Sequence, residues 1–289
     1  MKFTERALRI FKNAELEAEK TTDIVYPVHL ILGMLLERTG VCAELYINYP
    51  KLWDILNERI KEIDFNKCEQ GIAYQPFTIN ISLSTVQILE NAGKRMKHFR
   101  QVYLNEGHLA DAIFKSDDHS TNVLLDGLDV SRILEILSYP RDMIVPLKDY
   151  IYPNIPLSNI YYRKANKNDI ISLKNYVENE FGNRWLDSIE NGFLQDDIPI
   201  FVALDNEQVV GFACFDVVRK KRGLFGPMGT SYSNRSQGVG YTLLHHCLKE
   251  MKMKGYEYAV IGQAGPLEFY EKACNAVVIP KTNGLIERN

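Results

Sequence analysis

Apolar residues in the first part of the chain recur at intervals of three and four positions. This spacing places them on one face of an amphipathic helix, and the first such set consists of Phe3, Ala7, Ile10, Phe11 and Ala14. Thr4 precedes most of the set and is followed by Glu5 and Arg6, as expected at the start of a helix. The pattern therefore predicts a helical first half.

The helical pattern repeats after about 78 positions. Asn13-Ala14 returns as Asn91-Ala92, and His29-Leu30 returns as His108-Leu109. Repetition at a fixed interval predicts duplicated helical units. We expect the second copy to open with a helix over Ser82 to Phe99, and its segment Glu106 to Phe114 to match Pro27 to Leu36 in the first copy.

His29 and His108 stand at equivalent places ahead of apolar helical runs. An imidazole at such a place can cap a helix or fill a junction between helices, and neither histidine has a second metal ligand four positions later. A structural role is favoured over metal binding or catalysis.

In the second half of the chain, predicted strands alternate with predicted helices. Strands are expected at 160–166, on either side of Asp205-Asn206 within 199–218, at 223–232 and at 256–264, and helices at 168–181, 240–255 and 266–276. The alternation predicts an α/β domain whose glycine turn at 235–240 lies at the carboxyl edge of a sheet.

A proline-rich stretch separates the two patterns. It contains Pro140, Pro146, Pro153 and Pro156, and proline favours an extended chain because it fixes φ and lacks an amide donor. We therefore divide the chain into a helical domain at 1–143, a linker at 144–158 and an α/β domain at 159–289.

Composition, charge and cysteine spacing disfavour several classes of function for this chain. The chain has 46% hydrophobic and 25% charged residues and a net charge of -3, which provides no basic field for nucleic acid. No apolar run reaches membrane-spanning length, and the charged N-terminus differs from a secretory signal. The five cysteines are scattered without a CxxC pair, which favours reduced thiols in a cytoplasmic protein and no metal.

The sequence RSQGVG at 235–240 has the properties of an anion-binding turn. Amides at the start of the following helix point outward, Gly238 and Gly240 let a phosphate approach the backbone, and Arg235 adds a cation. Leu243 replaces the third glycine of a dinucleotide-binding fingerprint, and Tyr241 stands where a Walker loop has lysine. The expected ligand of this turn is a diphosphate. The alternative is that the turn binds nothing and its glycines only allow the strand and the helix to pack closely.

The first half resembles the N-terminal domain of Clp ATPases. The resemblance covers about residues 1–143 and rests on FTERALRIFKNAELEA and YPVHLILGMLLERTGVCAELY, with a weaker second copy containing GHLADAIF. It implies an all-α duplicated four-helix repeat that docks a protein partner. No GxxxxGK[ST] phosphate loop occurs in the chain, so an ATPase motor is not expected.

The second half resembles the GNAT acetyltransferases over about 160–280. Their motif [QR]xxGx[GA] is matched by Arg235, Gly238 and Gly240, and EFYEKACNA at 268–276 is similar to their FYEKxGF phrase. The resemblance implies an α/β (α+β) fold with a mixed central sheet, a bulge in the strand before the turn, and transfer of acetyl from acetyl-CoA to a primary amine. It assigns Tyr270 as the proton donor to the leaving sulfur, and it assigns acetyl-CoA binding to Met228, Gly229, Thr230, Arg235, Ser236, Gln237, Gly238, Val239, Gly240 and Tyr241.

The general base, the acceptor pocket and the identity of the acceptor are not assigned from the sequence. Asp216, Glu178 and Glu180 are acidic but have the character of surface charges, so no general base is assigned, and Trp185 fits an acceptor pocket and a core equally well. His245 and His246 point about 100° apart on a helix and cannot share a metal. The acceptor is either a small molecule or a protein, and the competing class is a non-catalytic CoA sensor or adaptor.

Only nine residues follow Pro280, whereas the acetyltransferases usually finish with two further strands. Three alternatives follow: the sheet ends short, a second subunit completes it in a homodimer, or the sheet takes an edge from elsewhere in the chain.

Overall fold

The computed structural model describes residues 1–63, 65, 70–219, 221–235 and 238–280. Two compact units have the main spans Met1–Pro140 and Arg141–Ile279. Within the described residues, every helix falls short of the length or apolarity that crossing a membrane requires.

The first unit is helical and duplicated, as predicted. Its first copy contains α1 (Glu5–Ala18), α2 (Pro27–Leu36), α3 (Gly40–Asn48) and α4 (Leu52–Ile60). Its second copy contains α5 (Leu83–His98), α6 (Glu106–Phe114), α7 (His119–Leu125) and α8 (Val130–Leu137). The opening helices of both copies begin at hydroxyl caps, because Thr4 and Ser82 accept hydrogen bonds from the amides of Ala7 and Thr85.

Short strands of the two copies pair with one another. They are β1 (Lys2–Phe3), β2 (Ile24–Val25), β3 (Asn80–Ile81) and β4 (Tyr103–Leu104). β1 pairs in parallel with β4 and β2 with β3, so each copy supplies one strand to each pair. A buried ion pair adds to this connection, since Nη1 of Arg6 on α1 lies 2.7 Å from Oε1 of Glu106 on α6.

The second unit contains a mixed sheet of seven strands among its described residues. The strands are β5 (Arg141–Pro146), β6 (Tyr161–Lys164), β7 (Ile200–Asp205), β8 (Gln208–Phe215), β9 (Leu224–Thr230), β10 (Tyr258–Ala264) and β11 (Val277–Val278). Their spatial order is β11-β5-β10-β9-β8-β7-β6. β9 and β10 are parallel and the other neighbours are antiparallel.

Four helices accompany this sheet in the described residues: α9 (Ile170–Phe181), α10 (Leu186–Phe193), α11 (Val239–Met253) and α12 (Leu267–Cys274). One face of the sheet, including Phe212, forms a core with α9 and α10. The adjacent Gly211 lies against Val239 and Leu243 of α11, so α11 covers the opposite face. One stripe of α11 is apolar and buried, and it consists of Leu243, Leu244, Cys247, Leu248 and Met251.

The start of the second unit differs from the predicted boundary. Residues 141–143, assigned to the helical domain from sequence, and residues 144–146, assigned to the linker, together form β5, which lies between β10 and β11. The chain there is extended as predicted, but an extended chain can also pair with a strand edge, and β10 offers one. The third alternative for the sheet therefore holds: its missing strand comes from the segment before the domain. The remaining residues 147–158 form neither helix nor strand.

The hairpin turn is also displaced from its predicted position by one residue. Its left-handed residues are Asn206 and Glu207, with φ of 46° and 66°, instead of Asp205 and Asn206. Two consecutive residues with positive φ match the twist of a tight hairpin.

Candidate functional site

The parallel strands β9 and β10 separate part-way along their length. Leu224 pairs with Val260 and Phe225 with Ile261, and the pairing of β9 with β10 ends there. The carboxyl-terminal half of β9 is then bonded to β8 alone, so a gap opens between β9 and β10 toward the start of α11.

β9 carries the expected bulge at the point where the gap begins. Ala213 pairs with Met228 and Phe215 with Phe225, so two steps along β8 correspond to three along β9. The extra residue lies at Gly226-Pro227, and Gly226 has a φ of 114° that favours glycine.

The amides of Met228 and Thr230 face the gap. The Ser231 amide donates to the Val210 carbonyl at 3.0 Å, so this antiparallel pair is hydrogen-bonded. Hydrogen-bonded and non-bonded pairs alternate in such a ladder, which directs the Gly229 amide to β8 and those of Met228 and Thr230 away from it. In agreement, the Thr230 carbonyl accepts a bond from Nε of Arg235 at 3.4 Å instead of bonding to β8.

The first turn of α11 borders the same gap. Gly238 caps the helix with a φ of 83°, and a Cβ there would meet no atom of the described residues within 4 Å. A Cβ on Gly240 would lie 3.7 Å from Thr230, 3.8 Å from Met228 and 3.9 Å from Phe269. The glycine turn, β9 and α12 therefore meet at one place, with open backbone at Gly238.

The other predicted acetyl-CoA ligands have different surroundings. Gly229 is buried against Phe181, and a Cβ would lie 2.5 Å from Cζ of that ring. Val239 is 1% exposed, so only its backbone is available. Tyr241 is half-buried with its ring centroid 4.2 Å from that of His245. Ser236 and Gln237 lie outside the described residues.

Tyr270 lies at the point where the gap closes. Its ring contacts Phe225, the last residue of β9 that pairs with β10, in an edge-on arrangement with centroids 6.3 Å apart. Burial raises the pKa of Tyr270, with Cys274 adding to the effect. The phenol is therefore protonated at neutral pH and can act as a proton donor.

Of the three acidic residues named from sequence, Asp216 lies away from the gap. Asp216 accepts from the Gly223 amide at 2.7 Å and from the Tyr256 hydroxyl at 2.6 Å, beside the turn that precedes β9. Glu178 and Glu180 lie on α9 and are exposed and half-exposed. Trp185 packs on Phe181 and Phe212 at the edge of the core, which favours a structural role.

His29 and His108 close helix starts, which is the kind of structural role that the sequence favoured for them. Nδ1 of His29 accepts from the Tyr26 amide at 2.9 Å, and Nδ1 of His108 accepts from the Asn105 amide at 3.2 Å, which closes equivalent helix starts. His245 is buried, and His246 stacks on Phe201. Within the described part of the chain, no group of three or more metal-ligating side chains occurs, and the cysteines there are free thiols.

Two neighbours of the site were not singled out from sequence. Tyr150 bonds to His245 beside the first turns of α11, and Asp142 lies on β5 next to the bulged part of β10. Both belong to the stretch around the predicted domain boundary, and no local pattern marks a residue whose neighbours come from another strand or helix.

Comparison with known proteins identifies two families. Residues 169–275 match the model of the acetyltransferase (GNAT) family, and residues 2–128 match the Clp repeat (R) N-terminal domain. A comparison with curated proteins finds no match.

Solved structures resemble each half. The N-terminal domain of the caseinolytic protease associated chaperone ClpD from Arabidopsis thaliana is 24% identical, with 47% of this chain and 91% of that chain covered at a TM-score of 0.38. A GCN5-related N-acetyltransferase from Sphaerobacter thermophilus is 19% identical, with 49% of each chain covered and a TM-score of 0.40. Another from Kribbella flavida is 16% identical, with 50% and 55% covered and a TM-score of 0.37. This chain spans about half of each acetyltransferase.

Proposed function

Since residues 169–275 form a GNAT-family domain and residues 2–128 a Clp repeat N-terminal domain, we propose that the protein is an acetyl-CoA-dependent N-acetyltransferase with a docking domain for a protein partner. The acetyl group is transferred to a primary amine. The observation that carries the proposal is the gap between β9 and β10, which the start of α11 and two backbone amides border.

Binding follows from the electrostatics of this border. The amides at the start of α11 and the positive end of its dipole favour a diphosphate beside Gly238, where the backbone is open. The gap receives the extended pantetheine arm, and the amides of Met228 and Thr230 are directed toward the thioester oxygen.

Catalysis requires stabilisation of an oxyanion and protonation of a thiolate. Backbone amides already aimed at the carbonyl oxygen stabilise the charge that develops on attack by the amine. Tyr270, protonated at neutral pH because burial raises its pKa, donates to the leaving sulfur. No second subunit is needed to complete the sheet, because β5 supplies the strand whose absence was the ground for expecting a homodimer.

Calorimetric titration with acetyl-CoA tests the proposal. Gly238→Glu places bulk and charge at the open start of α11, and Gly255→Glu is its matched control. Gly255 follows the other end of α11, has a φ of 86° against 83° for Gly238, and likewise has nothing within 4 Å of the place that a Cβ would occupy. Both variants therefore carry the same added charge and similar backbone strain.

We expect Gly238→Glu to weaken acetyl-CoA binding at least about tenfold, or about 1.4 kcal/mol, and Gly255→Glu to bind as the wild type does. Equal weakening in both variants would mean that strain or net charge, not the site, is responsible. A folded wild type that does not bind acetyl-CoA would refute the proposal, and binding without transfer to any amine or peptide would indicate a CoA sensor.

A further inference from the structure

One face of the sheet is open beside the point where β9 and β10 separate. Phe225, Ile261 and Met143 are paired neighbours on three strands and are buried on the side where Tyr270 contacts Phe225. Side chains alternate along a strand, so the next residues along β10 and β5, Gly262 and Asp142, lie on the opposite face. Both are exposed.

Gly262 leaves a passage between Asp142 and β9. A Cβ at Gly262 would lie 3.2 Å from Cδ1 of Leu224 and 4.0 Å from Oδ1 of Asp142. Neighbouring strands lie about 4.8 Å apart, so the Asp142 carboxylate is separated from the gap by the width of β10 alone. Because Gly262 has no side chain, the backbone of β10 between Asp142 and the gap is exposed to solvent at this position.

The Asp142 side chain is held in place. Its Oδ1 accepts from the Gln263 amide at 2.7 Å, and its carbonyl accepts from the Ile279 amide at 2.9 Å. Gln263 has a φ of 48°, and the register of β10 against β5 shifts between Ile261 and Ala264. β10 thus bulges beside the start of the gap and turns an amide toward the carboxylate, while Oδ2 makes no hydrogen bond or ion pair within the described residues.

We infer that Asp142 binds the nitrogen of the acceptor amine and takes its proton, and that the acceptor enters from the open face. The inference rests on the proposed function and extends it to the acceptor side. Asp142 precedes residues 169–275, which match the acetyltransferase family, so the family assignment does not include it.

The two proton transfers of the reaction take place on opposite faces of the sheet. The neutral amine attacks the thioester carbon, the carbonyl pair moves to the oxygen held by the β9 amides, and the nitrogen loses a proton to Asp142. Collapse of the adduct breaks the carbon–sulfur bond, and the sulfur takes a proton from Tyr270 on the other face. Asp142 releases its proton to solvent, and Tyr270 regains one from solvent, so the products are an amide and the free thiol of CoA.

Asp142→Asn is the first test, because the amide oxygen can still accept from the Gln263 amide. Transfer is measured with acetyl-CoA and three amines, n-butylamine, putrescine and Nα-acetyl-lysine methylamide, by release of the CoA thiol. We expect kcat/KM to fall at least about 100-fold, with the Kd for acetyl-CoA within about twofold of the wild type. Asp216→Asn, at a carboxylate outside the gap, is the control and should keep wild-type transfer.

Two further variants separate chemistry from structure. Formate should restore part of the transfer lost in Asp142→Ala, because a small carboxylate can occupy the space and take the proton. Gly262→Leu should close the passage and raise KM for the amine while acetyl-CoA still binds.

The outcomes distinguish the two proposals. Loss of acetyl-CoA binding by the wild type would remove the proposed function itself. Binding and transfer that survive in Asp142→Asn would overturn only the role of Asp142, and acetyl-CoA binding without transfer to any of the three amines would overturn that role together with the amine acceptor.

Discussion

The hydroxyl of Tyr150 lies 2.6 Å from Nδ1 of His245, and the two rings stack with an interplanar angle of 17°. Burial lowers the pKa of His245 to about 4, with the Ala273 carbonyl acting in the opposite direction, and burial raises the pKa of Tyr150. The imidazole is therefore neutral, and its Nδ1 accepts a hydrogen bond from the Tyr150 hydroxyl. Lys252 adds to this anchor by donating to the Tyr150 carbonyl at 2.7 Å, so the segment after β5 is tied to α11.

Removal of this hydrogen bond should destabilise the second unit. Tyr150→Phe leaves a buried imidazole nitrogen without its donor, and we expect the free energy of unfolding to fall by about 1 to 2 kcal/mol. Tyr152→Phe is the control, since the Tyr152 ring packs near His246 and its hydroxyl makes no hydrogen bond within the described residues. Urea unfolding of both variants measures the difference, and equal stabilities would show that the bond contributes nothing.

Loss of the Tyr270 hydroxyl should affect turnover more than binding. Tyr270→Phe retains the ring against Phe225 but removes the proton for the leaving sulfur, so kcat should fall by about 100-fold while the Kd for acetyl-CoA changes little. Tyr256→Phe is a matched control, because its hydroxyl bonds to Asp216 and its pKa is raised to about 12 by burial and this bond. An equal loss of turnover in both variants would contradict the assignment of Tyr270.

Stability of the helical unit should decrease in acid. Burial lowers the pKa of His29 to about 3 and, with Arg95 adding and Asp111 opposing, that of His108 to about 4, against about 6.5 unfolded. Above pH 6.5 both histidines are neutral in both states, so the full stability is present. Below about pH 6.5 the unfolded chain binds protons that the folded chain does not, and each histidine lowers the free energy of unfolding by about 1.4 kcal/mol per pH unit until its folded pKa is reached.

The two tryptophans allow this effect to be assigned to one unit. Trp53 lies on α4 of the helical unit and Trp185 in the second unit, so Trp185→Phe leaves a reporter of the first. Urea unfolding followed by Trp53 fluorescence at about pH 7.5 and about pH 5 should show a smaller pH dependence in His108→Gln than in the parent chain. His98→Gln replaces an exposed histidine and should change the pH dependence of the free energy of unfolding little. The prediction would be contradicted if His108→Gln showed the same pH dependence as the parent chain.

The second unit should require β5. A chain of residues 141–289 contains every described strand of the sheet, whereas 159–289 lacks the strand that bonds to β10 on one side and β11 on the other. We expect 141–289 to unfold cooperatively and 159–289 to aggregate through the exposed edge of β10. Size-exclusion chromatography and thermal unfolding compare the two, and a monomeric, cooperative 159–289 would show that β5 is dispensable.

Much of the candidate site could be predicted because its residues are close in sequence. The turn at 235–240 stands between a strand and a helix, and a right-handed parallel crossover brings it to the edge of the sheet, as β9, α11 and β10 do. Gly238 and Gly240 were found through this local pattern. Gly229 shows the limit of the same reasoning. A Cβ at this position would clash with Phe181 on α9, and the pattern of the strand carries no information about that helix.

The sequence by itself determined the opening helices of the two copies, their duplication, the helix start at Thr4, and the glycine start of α11. These features depend on residues within one or two helical turns, where periodicity and capping act directly. The tertiary structure decided that 141–146 is a strand of the second unit and that Asp142 and Tyr150 adjoin the candidate site. An extended, proline-flanked segment has no intrinsic partner, and only the free edge of β10, brought close by folding of distant residues, turns it into part of a sheet.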